Sequence, residues 1–516
     1  MSSSNKNKIV AVIDIGSSAV KMRISQKQGD EIIDLDFLEY PISLGHGAYT
    51  EQKISIEIIR EIIQILTGFC KLMDEYGVNQ YRVVASSALR EAKNRSYVLD
   101  QIKIHNNLSV EVLEDIENKS LIFSEALMAF SNNPIPGFSN ALIAYVGEGS
   151  IGIAQYEADK ITMTQNMKIG SMKLSDMFSN VSLETDRYDD ILHEYLKLIS
   201  EMLKKHLKDS KLKNLVIIGN EIFIISKILN IKPKNGYIKI SKSRLRELYK
   251  KLCQKTSALI CAEYSITDEQ CDLLMTSLAI YLCLFDLVFT EDFYSPVLGF
   301  WDSIISSLFS TKKEQEKNTA IHEHTLACAK AIAEKYECDK SHYTKVNEIA
   351  VKIFNKLKKL HGLSVKERQY LSLACILEEC GKYINVKNFE YSTYQIIRHS
   401  SFVGLSKKDK QLIALITRYR SLKSSEDMDE KVLSLTECER LTIAKLNAVF
   451  RLAEALDKSH RQIIGEIMIT LSENKLAITV YAEDDLLLEN WAFKESAAFF
   501  EDIFGIKAEL VKRIQS

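Results

Sequence analysis

The sequence predicts an α/β protein that continues into an all-helical part and ends in a small α/β unit. Three observations carry this. Two strand–turn–strand stretches with glycine in their turns, Ile9–Ile24 and Ala141–Ala154, echo each other in spacing. Residues 318–457 show almost purely helical apolar spacing, with stripes such as Val346, Ile349, Ala350, Ile353, Phe354 and Leu357. Residues 465–516 return to alternation. At 516 residues and 46% hydrophobic, the chain has material for three or four domains of ~150 residues.

The first stretch reads as a fully buried strand, Ile9 to Ile15, a turn at Gly16, Ser17 and Ser18, and a second strand, Ala19 to Ile24. Asp14 closes the first strand, where its carboxylate points into a cleft. Gly16 lets the backbone turn tightly, and the amides and hydroxyls that follow make an anion-binding nest. The same pattern also serves plain hairpins. Ile54 to Tyr76 has helical spacing, and Tyr81–Ala85 reads as a short buried strand. Ser86 then caps a helix over Ser86–Ala92, which places Arg90 beside the strand ends as a phosphate clamp. Val110–Leu113 is another strand, followed by the acidic Glu114–Glu117 and an apolar helix to Phe130. In the second hairpin Gly147, Gly149 and Ser150 form the turn, so that two such hairpins would close on a phosphate from both sides.

Near the C-terminus, Ile467–Leu471 and Leu476–Val480 read as strands, followed by a helix near Trp491 to Phe504 and a last strand near Lys507 to Val511. The apolar run Leu273 to Phe289 is interrupted by Thr276, Ser277 and Asp286, which suits a buried helix better than a membrane span. The polar first eight residues lack the apolar core of a signal peptide. Ten scattered cysteines without zinc or C-x-x-C spacing point to reduced thiols and a cytoplasmic location. A net charge of -2 supplies no overall field for nucleic acid or a membrane surface.

Taken in order, these motifs resemble those of the exopolyphosphatase and guanosine pentaphosphate phosphatase (Ppx/GppA) family of the actin-like ATPase superfamily. The opening hairpin, Ser86–Ala92, Glu111–Phe123, the second hairpin and Ile169–Leu174 match in sequence order, as do His361–Leu363 and Arg451–Ser459 in the helical part. The resemblance implies two actin-like (ribonuclease H-like) halves, an all-helical HD-like domain and a small ferredoxin-like α/β domain. The boundaries expected are 8–128, 129–310, 316–462 and 463–516. It also implies phosphate contacts from Gly16, Ser17, Ser18, Lys21, Arg90, Gly147, Gly149 and Ser150, and a magnesium ion held on the side of Asp14.

The departures from that family gather at the chemistry. The glutamate that positions the attacking water falls on Asn118, whose amide accepts no proton, and Glu117 is a helical step of about 100° away. A metal-holding aspartate falls on Tyr145 and a later glutamate on Gly152, while Glu148 replaces a turn glycine and adds negative charge beside a polyanion. Phosphoryl transfer relies on positioning and on charge neutralisation by metal, so these losses weaken turnover more than folding. In the helical part only His342 keeps a metal-ligand position. Glu378, Glu379, Tyr391 and Arg420 stand at the others, so no metal is expected there. A basic run from Lys232 to Lys251 and another over Lys352–Lys359 offer surfaces for a long anion.

Two readings follow. In one, the protein binds polyphosphate or a guanosine polyphosphate and removes the terminal phosphate with magnesium, with Asp14 on the metal side, Arg90 and the two glycine turns on the phosphates, and Glu117 as an improvised base. In the other, it is a degenerate relative that binds such a ligand, or a partner protein, without turnover. The sequence leaves a homodimer open.

Overall fold

The computed structural model describes residues 8–29, 31–132, 135, 138–184, 188–205, 207, 212–297, 304–305, 308–309, 319–419 and 435–513. The chain divides into two compact units, 1–321 and 322–516.

In the first unit, β1 (Ile9–Ile15), β2 (Ala19–Gln28), β3 (Glu31–Pro41), β4 (Gln80–Ala85) and β5 (Val110–Val112) form a sheet of order β3-β2-β1-β4-β5. β1 pairs antiparallel with β2 and parallel with β4. The apolar run Ile9–Ile13 of β1 has a direct cause, because both of its faces are covered. Ala11, Ile13 and Ile15 pack with Ile59, Ile62, Leu66 and Phe69, while Val10 and Val12 pack with Val84, Leu113, Ile304 and Ile305. The helix that supplies the first cover, α2 (Ile56–Tyr76), follows α1 (Leu44–Thr50). α2 is capped by Ser55, whose side chain accepts from the Ile58 amide, and stops at Gly77 in the left-handed conformation. α3 (Ser87–Glu91), α4 (Arg95–Asn106) and α5 (Asp115–Asn132) complete the first half. Ser86 stands at the N-cap of α3 without a side-chain capping bond, so the Ser86 cap expected from sequence is absent.

The second sheet repeats the first. β6 (Asn140–Val146), β7 (Ile151–Glu157), β8 (Lys160–Met167), β9 (Asn214–Ile218), β10 (Tyr237–Ser241) and β11 (Asp292–Pro296) are ordered β10-β11-β9-β6-β7-β8. β6 is antiparallel to β7 and parallel to β9, β11 is parallel to β9, and β10 is an antiparallel addition at the edge. The faint echo between the two hairpins is therefore part of a repeated topology. α6 (Ser171–Glu184), α7 (Tyr188–Lys204), α8 (Glu221–Ile228), α9 (Lys242–Cys253), α10 (Ser257–Tyr264) and α11 (Asp268–Leu284) surround this sheet. Among the described residues one helix, Asp268–Leu287, is long and apolar enough to cross a membrane, and most of it is buried in the protein.

The second unit contains the helices Lys340–Lys356, Val365–Leu377, Phe389–His399, Lys407–Arg418 and Glu437–Ala455. Every residue of the stripe Val346, Ile349, Ala350, Ile353, Phe354 and Leu357 is buried. Capping boxes at Ser364, Ser406 and Thr436 start three of these helices. The tail follows as β12 (Ile467–Leu471), β13 (Lys475–Tyr481), a helix Leu487–Phe504 and β14 (Lys507–Arg513), in a sheet of order β12-β13-β14.

Candidate functional site

The two glycine hairpins meet across a cleft of about 440 Å³. Each is closed the same way: the Gly16 amide donates to Ala19 O at 3.0 Å, and the Gly147 amide to Ser150 O at 3.0 Å. Asp14, Gly16, Ser17, Ser18, Lys21, Arg90, Asn118, Gly147, Gly149 and Ser150 all line this cleft. Glu117 lies on α5 beside Asn118, and its side chain is outside the described residues.

The hydroxyls expected to face a phosphate are already bonded. Ser18 Oγ donates to Glu148 Oε1 at 2.6 Å, which ties the first hairpin to the second. Ser17 Oγ lies 2.8 Å from Tyr49 Oη and 3.2 Å from Ser87 Oγ, and those two are 2.6 Å apart. Gly149 presses against this trio, since a Cβ there would meet Tyr49 Oη at 2.4 Å and Ser87 Oγ at 2.6 Å. Lys21 pairs with Glu39 at 2.9 Å. Glu148 thus occupies, with a carboxylate, the hydroxyl donor that a phosphate oxygen would use.

Asp115 forms the hub on the opposite side. It accepts from Lys119 Nζ at 2.8 Å and from Ser150 Oγ at 2.7 Å, and Arg90 Nη2 lies 3.4 Å away. Arg90 also donates to Leu113 O at 2.9 Å. Lys119 is 1% exposed and donates to Ile151 O at 3.1 Å. Its stem lies over Gly152, where an added Cβ would meet Lys119 Cδ at 2.5 Å and Cε at 2.9 Å. Only a residue without a side chain leaves room for it. Burial pushes the Lys119 ammonium down to about 8, against the opposing pull of Asp115. Burial works to raise Asp115, and the Lys119 ammonium, the Ser150 bond and Arg90 outweigh it, so its pKa ends lowered. Lys119 is the nearer cation to this carboxylate, and Arg90 reaches it only at the longer distance of 3.4 Å.

The remaining acids crowd the cleft wall. Burial pushes Asp14 up to about 7, resisted by Lys21 and reinforced by Glu148. Glu148 is raised first by burial, partly offset by its bond from Ser18 and by Lys21. Glu221, at the start of α8, is raised to about 7, first by burial and further by Glu148, with a backbone hydrogen bond opposing. Two buried acceptors, Asp14 Oδ1 and Asn118 Oδ1, have no hydrogen-bond partner among the described residues.

The raised Glu221 has a measurable consequence. A carboxyl whose folded pKa lies above its unfolded value of 4.5 adds stability below that value and loses it as pH rises through about 7. Glu221→Gln should therefore stabilise the protein by about 3 kcal/mol above pH 7 and change little at pH 4.5. Urea unfolding of both forms at the two pH values checks this.

The basic run does not reach the cleft. Lys239 pairs with Asp292 at 2.9 Å, Lys242 lies 3.9 Å from Asp286, and Lys251 lies 3.3 Å from Glu263. In the helical unit Lys352 pairs with Glu348. There Glu378 and Glu379 sit in a buried 3-10 turn and Tyr391 is exposed, while Arg420 is outside the described residues. His361 is held by Phe354 O and by the Leu363 amide. Tyr49, Ser87, Asp115, Lys119 and Glu221 were not among the site residues expected from sequence. One signal was available: a glycine inside a strand, Gly152, marks a close approach.

The Ppx/GppA phosphatase family model matches residues 24–293, and the model of Ppx/GppA phosphatase domain III matches residues 325–495. A guanosine-5'-triphosphate,3'-diphosphate pyrophosphatase of Photobacterium profundum is 20% identical over 480 residues, 92% of this chain and 92% of its own. Among solved structures, an exopolyphosphatase from Cytophaga hutchinsonii aligns with a TM-score of 0.52 at 20% identity, covering 58% of this chain and 97% of that one. The Aquifex aeolicus member of the Ppx/GppA family aligns with a TM-score of 0.48 at 19% identity, over 58% and 97% of the two chains. The fold is the actin-like two-domain one with a helical C-terminal part.

Proposed function

Because the chain belongs to the Ppx/GppA phosphatase family, we propose that its cleft binds the terminal phosphates of polyphosphate or a guanosine polyphosphate and hydrolyses them very slowly or not at all. The observation that carries the second half of this reading is Lys119 lying over Gly152, where the family resemblance calls for a glutamate. A buried ammonium and a phenol, Tyr145, stand where two carboxylates are expected. Asn118 stands where the base is expected, and its amide accepts no proton. Binding fares better, since Arg90 and both turns line one cleft.

The orphaned Asp14 Oδ1 fits a hydrated magnesium ion, which commonly takes one or two protein carboxylates and the ligand's own phosphates. Asp14 would hold it, and the ion when bound neutralises phosphate charge. Arg90 orients the anion, and Ser18 donates to it once Glu148 is displaced. In this reading the two halves meet near residue 128, an HD-like helical part spans 316–462 and a ferredoxin-like tail 463–516. The protein works in the cytoplasm, without nucleic acid or membrane as partner.

Turnover remains the second reading, favoured by one observation: Glu148 is a carboxylate within the cleft. Phosphate release with magnesium, on long-chain polyphosphate and guanosine pentaphosphate side by side with calorimetric binding, separates the two. Binding without release supports the first, and absence of binding to either ligand defeats both. In the same assay Glu148→Ala should strengthen pyrophosphate binding about tenfold at pH 8, because it removes a competing anion from Ser18.

A further inference from the structure

Outside the cleft, His342, Glu379 and His460 each bring one donor atom to within 4.8 Å of the others. They come from three segments of the second unit: the helix Lys340–Lys356, the 3-10 turn Glu378–Tyr383, and the turn that follows the helix Glu437–Ala455. His342 is 1% exposed and Glu379 9%. The His460 ring is about one-third exposed.

A second observation concerns how the rings are held. His342 Nδ1 lies 2.8 Å from Asp457 Oδ2, and Asp457 is itself fixed by the Gln462 amide and side chain. His460 Nδ1 lies 3.4 Å from Asp339 Oδ2, and Asp339 accepts from the Ser341 and His342 amides. A carboxylate at Nδ1 keeps the proton there and leaves Nε2 with its lone pair, the arrangement that orients metal-bound histidines. The rings stack at 3.6 Å and 9°. His460 Nε2 stands 3.5 Å from Glu379 Oε1.

We propose that His342, His460 and Glu379 form a binding site for a divalent transition ion, zinc being the best match to two imidazoles and a carboxylate. Zinc donors about 2.1 Å from the ion lie about 3.4 Å apart in a tetrahedron, so the cluster closes by little more than an ångström. The partly exposed His460 ring tilts out of its stack to do so, and the ion replaces Lys382 as the cation on Glu379. Solvent takes the fourth position. The ion ties three segments together and has no part in the cleft. Glu378, Glu379, Tyr391 and Arg420 alone predict a metal-free helical part, whereas His460 supplies a second imidazole beside His342.

The test uses the full-length protein, stripped with chelator, dialysed and titrated with zinc alone. One equivalent should bind, and the Tm should rise with zinc concentration. His460→Ala, at a partly exposed position, and Glu379→Gln should each weaken binding at least tenfold while circular dichroism stays that of the parent. A folded parent that binds no zinc overturns the proposal. So does zinc binding that survives both substitutions unchanged, which would place the ion at other residues, such as the free cysteines.

Discussion

Lys119→Met should lower the stability of the protein by about 3 kcal/mol, because it leaves Asp115 without its nearest cation while keeping the length of the side chain. The lysine stem fills the space over Gly152, and methionine fills most of it, so packing changes little. Charge changes a great deal. Asp115 would keep Ser150 at 2.7 Å and the more distant Arg90 at 3.4 Å. Arg90 should then be drawn onto Asp115 and lost to the ligand, so pyrophosphate binding should weaken together with stability. Adding Asp115→Asn to Lys119→Met should recover most of the lost stability, since replacing both partners of a buried pair is close to neutral. Urea unfolding of the parent, the single and the double variant measures the coupling directly. Equal loss in the single and double variants would mean that the lysine acts through packing alone.

The contrast between what was legible and what was not follows from where information sits in a chain. β1 is legible because burial on both faces demands a run of small and branched apolar residues, Ile9 to Ile13, with Asp14 near its end. The helical stripe from Val346 to Leu357 is legible because one face is buried and the spacing records it. β3 is an edge strand whose Ile33–Phe37 alternates apolar and polar residues, yet Ile32, Ile33, Leu35 and Phe37 stay exposed, so the alternation marks no buried face. α1 was passed over because Gly45 and Gly47 argue against a helix. Tertiary packing decides there: a Cβ on Gly45 would meet Met172 Sδ at 2.4 Å and Ser17 Cβ at 2.9 Å, so the glycine is required for α1 to lie against the hairpin. Tyr49 reaches the site on that helix.

At the cleft, the residues that define its floor and turns were legible through ordered motifs. Their partners were not. Lys119 and Asp115 form an i,i+4 pair on α5, a spacing that usually marks a solvated helix face. Nothing local says that this pair is buried beneath β7. The same applies to His460, which meets His342 only through folding of the helical unit.

The geometry over Gly152 also decides how the acids expected from the family resemblance must be restored. Asn118→Glu, Tyr145→Asp and Gly152→Glu combined would place a glutamate against the Lys119 stem, with its Cβ about 2.5 Å from Cδ. That set alone should destabilise the protein and gain no activity, because the new carboxylate either displaces the lysine or pairs with it. Adding Lys119→Ala removes the obstruction and the competing cation together. The quadruple variant should then release phosphate roughly 10²–10⁴-fold faster than the parent, the range for a restored general base, while its affinity for pyrophosphate falls as it does in Lys119→Met. Rate rises although binding weakens, because the base is restored and the two turns are untouched while Arg90 is drawn toward Asp115. A parent that already matches the quadruple variant would mean that another carboxylate serves as base, with Glu148 and Glu117 the first to substitute by glutamine. A triple variant as active as the quadruple would mean that Lys119 swings aside freely, and that its bond to Asp115 does not hold the cleft in its present state.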